Sequence, residues 1–280
     1  MSKPESKVKF KTLQKKTQKS FGYQWSNFSE MSCDFKDNFL NYIKPLAPEF
    51  FKGKLGLDAG CGFGRHIYHA ALFGARMIGM DFSVAIKSTQ KNTSGIKNIS
   101  LVQGDIFNPP FAAQSFDFVY SIGVLHHLPD PERGFQSILK LVKKEGSIFI
   151  WVYSKRRKLT NLLLESARKI TRHLPMRLLK TICLIFSLID WVLFIWPYRV
   201  ISRLMPRGSG WDRWVLARIK LYSQYPFQVT YADWFDRLSA PIRFYYDHND
   251  LESWAQRAGL KKVMISETGS YGWRLYGVKA

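Results

Sequence analysis

Three glycines at alternate positions, with carboxylates around them, are the residues of this chain best suited to bind a nucleotide-like ligand. Residues 55–64 read Leu-Gly-Leu-Asp-Ala-Gly-Cys-Gly-Phe-Gly, so an apolar strand leads into an acid and three glycines: Asp58, Gly60, Gly62 and Gly64. Glycine lets the backbone turn tightly and approach a ligand without a Cβ in the way. A helix predicted from Arg65 would add free amides and the positive end of its dipole. The run therefore predicts a ligand-binding loop between a strand and a helix.

Two further acids follow predicted strands, at places where nucleotide-binding sheets hold their ligand. The apolar run 75–81 ends in Asp81, about twenty residues beyond the glycine loop, and an acid there is placed to accept ribose hydroxyls. Asp105 follows the third strand, and Ser121 ends the fourth. Because the carboxyl ends of parallel strands meet at one edge of the sheet, we expect these side chains to gather beside the loop.

A histidine pair follows the fourth strand and supplies candidate general bases. His126 and His127 lie in the segment Ile-Gly-Val-Leu-His-His-Leu-Pro-Asp, residues 122–130. Imidazole exchanges protons near neutral pH and is the usual base for deprotonating a hydroxyl group. One member of such a pair is often structural and bonded to a backbone carbonyl. Both histidines are therefore candidates, and the sequence does not decide which of them is the base. It shows no cluster at metal-ligand spacing, and we predict no metal site.

The elements that must position these residues alternate between strand and helix. Such alternation favours a parallel sheet with helices on both faces, and the C-terminal segment adds a helix and a strand hairpin. The predicted strands cover 75–81, 99–103, 116–121, 147–153, 262–267 and 274–279, and the predicted helices 65–73, 131–142 and 250–258.

The glycine spacing separates two kinds of nucleotide-binding fold. Dinucleotide enzymes use G-x-G-x-x-G, whereas this chain has G-x-G-x-G preceded by Asp58. The run resembles motif I of the class I S-adenosylmethionine-dependent methyltransferases of small-molecule type. The resemblance covers about residues 50–152 and returns near the C-terminal end. It implies an α/β fold, with a Rossmann-like seven-stranded sheet and a helical lid insertion.

The resemblance also implies the cofactor, S-adenosyl-L-methionine, and the residues that hold it. In the family the glycine loop wraps the amino acid end of the cofactor. An acid at the place of Asp81 takes the ribose, and one at the place of Asp105 takes the exocyclic amine of adenine. The predicted cofactor-binding set is Asp58, Gly60, Gly62, Gly64, Asp81, Phe82, Asp105, Ile106 and Ser121.

One tetrapeptide resembles a different catalytic motif. Residues 108–111 read Asn-Pro-Pro-Phe, with which amino-methyltransferases hold a planar nitrogen nucleophile. In those enzymes the motif follows the fourth strand, but here it lies between the third and the fourth. Two prolines there stiffen a turn, since proline fixes φ and cannot donate to a sheet. We therefore predict a structural loop.

The sequence divides into five segments by composition and by the resemblance. Residues 1–20 contain seven lysines and one acid, with few large apolar residues, and predict a basic flexible arm. The aromatic-rich segment that follows either folds over the cofactor site or packs on the sheet. The segments are the arm 1–20, a cap segment 21–50, a cofactor-binding core 51–153, a helical lid insertion 154–248 and the C-terminal helix and hairpin 249–280.

The insertion contains an unusually apolar run. Residues 182–197 are apolar almost all round, with Asp190 near their middle and basic residues on both flanks. A spanning helix needs about twenty apolar residues, so this run of sixteen is short for that purpose. The two readings left open are a buried lid helix and a helix that dips into one leaflet of a membrane.

The distribution of charge and the number of cysteines indicate the cellular compartment and the kinds of partner. The net charge of +21 is concentrated in the arm and in residues 155–218, while the catalytic core is nearly neutral. Such a surface attracts anionic partners, either a membrane surface or an RNA backbone, unless it is only a solvated basic face. The three cysteines have no pairing pattern, and with no secretory signal this predicts a cytoplasmic protein, peripheral on the membrane face if the insertion makes contact.

The function predicted is methyl transfer from S-adenosylmethionine to a small or lipid-linked acceptor, with O-methylation favoured. An RNA methyltransferase is the first alternative. It is disfavoured because no RNA-binding module is visible and an apolar insertion suits a greasy acceptor better. The other alternative is a protein that binds the cofactor but no longer transfers its methyl group.

Overall fold

The computed structural model describes residues 3–205 and 215–280. The chain divides into two compact units, which are described separately below. The core unit comprises Met1–Leu163 and Ala240–Ala280, and the inserted unit comprises Leu164–Ser239. The predicted insertion was drawn wider, from 154 to 248, because the segments next to the inserted unit belong to the core unit by their contacts.

A seven-stranded sheet forms the centre of the core unit. Its strands lie in the order β3-β2-β1-β4-β5-β7-β6, and all neighbours are parallel except those of β7, which runs antiparallel between β5 and β6. This confirms the predicted Rossmann-like sheet. The strands are β1 Leu55–Ala59, β2 Arg76–Asp81, β3 Ile99–Gln103, β4 Phe116–Ile122, β5 Val142–Tyr153, β6 Leu260–Thr268 and β7 Gly272–Lys279.

Helices cover both faces of this sheet because its central strands are apolar on both sides, as expected of a parallel sheet. One face packs against α5 and α11 through Phe135 and Trp254, and the other against α2 and α3 through Phe39 and Ile67. The helices of the core unit are α1 Lys3–Asn27, α2 Lys36–Ile43, α3 Arg65–Leu72, α4 Ile86–Asn92, α5 Pro131–Leu139 and α11 His248–Arg257, and α6 Lys158–Thr171 leads into the inserted unit.

The strand order fixes where a ligand can bind. The order in which strands are added to the sheet reverses between β1 and β4, which are parallel neighbours although β2 and β3 intervene in sequence. Ligands of open α/β sheets bind in the crevice at such a switch point, outside the carboxyl ends of the strands. The glycine loop begins where β1 ends and therefore lies at this point.

The N-terminal segment differs from its prediction. Residues 3–20, expected as a flexible arm, belong to the 25-residue helix α1. Its lysines from Lys9 to Lys19 are exposed, while an inner row that includes Phe10, Gln14 and Phe21 is partly covered. Phe10 packs against Phe107, with ring centroids 5.0 Å apart, and Phe21 packs against His127 at 4.8 Å. Contacts with the core unit therefore order a sequence that composition alone would leave unfolded.

The inserted unit is helical in its described part. Its helices after α6 are α7 Met176–Asp190, a π-helical turn Trp191–Ile195, α8 Trp196–Leu204, α9 Ala217–Tyr222 and α10 Phe227–Ser239. α7, the π turn and α8 form one continuous helix of 29 residues, Met176–Leu204. The predicted apolar run 182–197 is thus the middle of a longer helix. A helix length of sixteen residues, inferred from that run, was too short.

The two stems of the insertion are joined in the core unit. Tyr246 donates its amide to the Tyr153 carbonyl at 2.8 Å, and Lys155 donates to the Tyr246 carbonyl at 2.8 Å. A β-bridge between Ser154 and Tyr246 completes the contact. The chain therefore leaves β5 and returns towards α11 at the same place on the sheet.

Candidate active site

The glycine loop has the backbone that its sequence requires. Gly60, Gly62 and Gly64 have φ of +97°, +56° and +94°, values that other residues rarely adopt. A Cβ on Gly60 would lie 2.5 Å from Val124, and one on Gly64 would lie 2.9 Å from Thr89. The loop thus needs glycine for both conformation and space, and it leads directly into the first turn of α3.

Asp81 ties the second strand to this loop. Its Oδ2 accepts the Gly62 amide at 3.0 Å, and its Oδ1 accepts the amide and the hydroxyl of Ser83 at 2.8 and 2.7 Å. Partial burial raises the pKa of the carboxyl, against the lowering effect of these donors. A carboxylate oxygen accepts about two hydrogen bonds, so Oδ1 is fully used and Oδ2 has one lone pair left. The side chain is therefore held rigidly, with acceptor capacity left for a ligand hydroxyl.

Asp58 is the most strongly perturbed acid beside the loop. Its side chain is buried, and burial raises its pKa to about 8, although the Tyr120 hydroxyl acts in the opposite direction. A carboxyl of this kind is mostly protonated at neutral pH in the absence of a nearby cation. Asp58 is therefore a group whose charge can respond to what the loop binds.

Asp105 and its neighbours face the N-terminal helix. Oδ2 of Asp105 accepts a hydrogen bond from Nε2 of Gln14 at 2.7 Å, and its Oδ1 accepts the Phe107 amide at 3.0 Å. Four residues along the same helix, Gln18 donates to the Phe82 carbonyl at 2.8 Å. Helix α1 therefore lies over the strand ends that carry Asp105 and Phe82.

Two members of the predicted cofactor set are buried in the core unit. Ile106 belongs to the hydrophobic cluster on the α5 face of the sheet. Ser121 is fully buried, and its hydroxyl donates to the Ala59 carbonyl at 2.8 Å. Ser121 thus links β4 to the end of β1, so in this structure its hydroxyl supports the base of the glycine loop.

The two histidines have different surroundings. Nδ1 of His127 lies 2.8 Å from the Ile242 carbonyl. Because a carbonyl only accepts, Nδ1 carries the proton and Nε2 keeps its lone pair in the neutral ring. His126 is fully buried, and neither ring nitrogen has a hydrogen-bond partner in the described part of the chain. Burial lowers its pKa well below the usual value, helped by the charges of His127 and Arg243.

The histidines belong to an aromatic and cationic cluster that the sequence did not reveal. The ring centroids of His126 and Tyr153 are 3.9 Å apart, and the Arg243 guanidinium lies 4.1 Å from the Tyr153 centroid. Arg243 comes after the insertion, far from His126 in sequence, and is brought there because the Phe244 amide donates to the His126 carbonyl at 2.9 Å. Sequence offered no signal for this pairing, since it depends on the return of the chain beside β5.

Gln14 and Gln18 were also missed, whereas Trp25 belongs to the aromatic-rich segment that was expected to fold over the cofactor site or to pack on the sheet. A Cβ on Gly62 would lie 3.4 Å from Nε1 of Trp25, so the indole lies against the glycine loop. The sequence signal for Gln14 and Gln18 was weak, because they are at helical spacing but are polar.

The tetrapeptide 108–111 forms a loop between β3 and β4. The Asn108 amide donates to the Asp105 carbonyl at 3.0 Å, which closes a turn, and the Asn108 side chain is exposed. Phe111 packs on Phe116 with ring centroids 5.2 Å apart. Within residues 3–205 and 215–280, no group of three or more His, Cys, Asp or Glu is arranged to hold a metal ion.

Comparisons with known proteins agree with this geometry. Residues 57–150 match the family model of a methyltransferase domain. A putative methyltransferase of Encephalitozoon cuniculi is 33% identical over 100 residues, which cover 35% of this chain and 44% of that protein. A ubiquinone biosynthesis O-methyltransferase of Coxiella burnetii is 31% identical over 137 residues, covering 44% of this chain and 58% of that protein. A demethylmenaquinone methyltransferase of Thermobifida fusca is 30% identical over 122 residues, covering 42% and 52%. The chain thus spans about half the length of these relatives.

Solved structures share the fold. A SAM-dependent methyltransferase from Aquifex aeolicus superposes with a TM-score of 0.50 at 13% identity, covering 91% of this chain and 98% of that one. Human N-acetylserotonin methyltransferase superposes with a TM-score of 0.53 at 14% identity, covering 93% and 56%. At such identities the likeness concerns the fold alone.

Proposed function

Since the chain belongs, through residues 57–150, to the class I S-adenosylmethionine-dependent methyltransferases, we propose that it transfers the methyl group of this cofactor to a small or lipid-linked acceptor. One observation carries the proposal. Three glycines in left-handed conformations follow β1, and Asp81 at the end of β2 holds the middle one by its amide. A loop that a ligand can approach closely therefore lies beside a carboxylate that can accept a ribose hydroxyl.

The residues present fit S-adenosylmethionine. Oδ2 of Asp81 would accept a ribose hydroxyl, Asp105 would accept the adenine amine, and the glycine loop with Asp58 would hold the amino acid end. The adenine ring would contact Phe82 and Ile106. The buried carboxyl of Asp58, with its raised pKa, suits a ligand that carries positive charge, because a nearby cation favours the ionised form. When bound, the cofactor supplies a methyl group on a positively charged sulfur.

The protein contributes positioning and a base. Displacement at a methyl carbon requires an aligned nucleophile and exclusion of water more than covalent help. His127 is the better base of the pair, because its contact with the Ile242 carbonyl orients the ring and makes Nε2 the basic nitrogen. His126, held neutral by burial, supports the position of that ring, 4.3 Å away.

The names of two relatives support a small-molecule acceptor. Ubiquinone biosynthesis and demethylmenaquinone methylation both concern quinones, and the first name specifies O-methylation. We therefore propose a hydroxyl acceptor of comparable size and apolarity.

Binding and transfer are tested separately. Calorimetry with S-adenosylmethionine should show affinity reduced tenfold or more in Asp81→Ala, because bonds to a charged acceptor contribute roughly 1.5–3 kcal/mol. Glu252→Ala, which removes an exposed acid from α11, is the matched control and should bind normally. Unchanged affinity in a folded Asp81→Ala protein would refute the cofactor site.

Transfer is measured with methyl-labelled cofactor and fractionated cell extracts. Label recovered in the lipid or small-molecule fraction, in amounts that Asp81→Ala abolishes, supports the proposal. Label in RNA would instead establish the nucleic-acid alternative. Cofactor binding without label in any fraction would indicate a binding protein that does not transfer.

A further inference from the structure

The continuous helix Met176–Leu204 of the inserted unit is apolar but mostly uncovered. Its most apolar 18-residue window has a mean hydropathy of 2.2, yet only 28% of that window is buried. A core helix of similar composition would be largely enclosed. The exposed apolar face of this helix therefore needs an explanation other than packing within the inserted unit.

One face of the helix does pack, and it contains the single acid. Leu179, Cys183 and Ile195 are buried, and so is Asp190. Asp190 accepts hydrogen bonds from Arg218 on α9, at 2.8 Å to Nη1, and from Nε1 of Trp234 on α10 at 3.0 Å. The carboxylate of Asp190, which interrupts the apolar run in the sequence, is therefore directed inward and paired.

The π turn keeps this inward face continuous. In an α-helix, the residue five positions after Asp190 would lie well round the axis from it. The wider π turn Trp191–Ile195 absorbs one extra residue, and Ile195 is fully buried as a result. The outward face consequently stays aligned across the junction of α7 and α8.

The outward face is a stripe of large apolar side chains. Its members recur at intervals of three, four and seven, and each is between 47% and 61% exposed: Leu178, Ile185, Ile189, Val192, Leu193 and Trp196. We name these six residues the apolar stripe. Contiguous exposed apolar surface of this kind marks a protein or membrane contact.

Charge identifies a lipid surface as the occupant. Arg177 and Lys180 precede the apolar stretch, and Arg199 and Arg203 follow it, while no outward acid interrupts it. Residues 164–239 as a whole contain twelve Lys and Arg against five Asp and Glu. Apolar burial combined with flanking basic residues is how amphipathic helices bind anionic bilayers.

The charges of the neighbouring helix favour a contact in the plane of a bilayer over one that crosses it. α10 runs along α7, with Tyr231 donating to the Lys180 carbonyl at 2.9 Å and Phe227 packed on Trp191. α10 also contains Asp236 and the ion pair Arg237–Asp233. A helix of 29 residues, about 43 Å at 1.5 Å per residue, is long enough to cross. Crossing, however, would carry these charges into hydrocarbon, where they are costly.

We propose that the apolar stripe docks the inserted unit on an anionic lipid bilayer, with the helix Met176–Leu204 lying in the plane of the interface. This contact is independent of methyl transfer and would exist even if the acceptor were soluble. It is also more specific than a general basic attraction, since it requires the stripe as well as the charges.

Co-sedimentation of the full chain with vesicles tests the contact. Binding should occur with phosphatidylcholine vesicles containing phosphatidylglycerol, be lost with phosphatidylcholine alone, and weaken at high salt. The variant Ile189→Ser/Val192→Ser/Leu193→Ser should lose binding. The matched control is Leu72→Ser/Val263→Ser/Met264→Ser, which removes three exposed apolar residues of the core unit and should bind normally. Equal binding by both triple variants would overturn the proposal, as would failure of the unaltered protein to bind anionic vesicles at low salt.

Depth measurements distinguish lying from crossing. Spin labels placed at Leu178→Cys, Ile189→Cys and Val200→Cys, in a Cys33→Ser background because the other two cysteines are buried, should report one shallow depth. A deep central label with shallow outer labels would indicate a spanning helix and overturn the in-plane geometry. A protein that is dimeric without lipid, becomes monomeric in the stripe variant and ignores vesicles would assign the stripe to a second copy instead.

Discussion

Nε2 of Gln14 donates to Oδ2 of Asp105 at 2.7 Å, so a side chain of the N-terminal helix is bonded to the carboxylate proposed to receive adenine. A side-chain amide and an exocyclic amine are the same kind of donor, each offering N–H groups from a planar nitrogen. We therefore expect Gln14 and the cofactor to compete for Asp105. Helix α1 would then adjust whenever the cofactor enters.

Removing the Gln14 amide should strengthen cofactor binding. A hydrogen bond of this kind contributes about 0.5–1.5 kcal/mol net, so Gln14→Ala is expected to raise the affinity for S-adenosylmethionine by about twofold to tenfold in calorimetry. Gln18→Ala is the matched control, because it loses a bond from the same helix to the Phe82 carbonyl. If both variants tighten binding equally, release of the helix is the cause rather than access to Asp105. Weaker binding in Gln14→Ala alone would show that Gln14 assists the cofactor.

Cofactor binding should release a proton from Asp58. With a pKa of about 8, its carboxyl is mostly protonated at pH 7, and the positive charges of S-adenosylmethionine favour the ionised form. Calorimetry in buffers of different ionisation enthalpy should therefore detect release approaching about 0.9 proton per site at pH 7, and less at pH 9. Asp58→Asn should abolish the release. S-adenosylhomocysteine, which lacks the sulfonium charge, should release less. Identical values for the unaltered protein and Asp58→Asn would contradict the assignment.

Acid should destabilise the protein through its buried histidines. Burial lowers the pKa of both His66 and His126 well below the usual value of 6.5. The unfolded chain therefore binds more protons than the folded one between pH 6.5 and those lowered values. Their stabilising contribution is complete above about pH 6.5 and is lost as the pH falls through that window. Melting temperatures measured from pH 7.5 to 5 should show the decline.

Replacement of one histidine should make that decline shallower. His126→Phe keeps a planar ring beside Tyr153 and removes one of the two groups. His248→Phe, which alters a half-exposed histidine, is the control and should leave the slope unchanged. A slope that is the same in His126→Phe as in the unaltered protein would show that His126 is not responsible.

The tetrapeptide 108–111 should be dispensable for chemistry. Because the Asn108 side chain is exposed in a turn between β3 and β4, Asn108→Ala should leave kcat within a few-fold once an acceptor is known. A thousandfold loss of kcat with intact cofactor binding would reinstate the amino-methyltransferase reading of this motif.

The sheet was predictable because its signals are local. β3 was predicted to the residue, and most of the other strands to within two residues, since short apolar runs bounded by glycine or an acid mark their ends. β5 is the exception. It begins at Val142 rather than at 147 because Lys143, Lys144 and Glu145 extend it in an exposed position. The predicted helix 131–142 correspondingly ends at Leu139.

One helix was missed and another was predicted too short, for different physical reasons. In α1 the inner row contains Gln14, Gln18 and Thr17 rather than aliphatic residues, so no apolar periodicity distinguishes it from a lysine-rich coil. In the helix Met176–Leu204, the predicted apolar run stopped at Pro197, a residue that lacks the amide required in the interior of an α-helix. The π turn immediately before α8 places Pro197 in the first turn of a new α-helical register, where its missing amide is tolerated.

The joined stems at Tyr153–Lys155 and Tyr246 make everything between them equivalent to one long loop whose two ends meet in a parallel bridge. A segment attached in this way can be lengthened, shortened or exchanged between proteins while the register of every strand is kept. The methyltransferase core and the proposed membrane contact can then be inherited separately, each under its own selection. Chimaeras in which the insertion is exchanged at these stems would show whether membrane binding can be transferred to a different catalytic core.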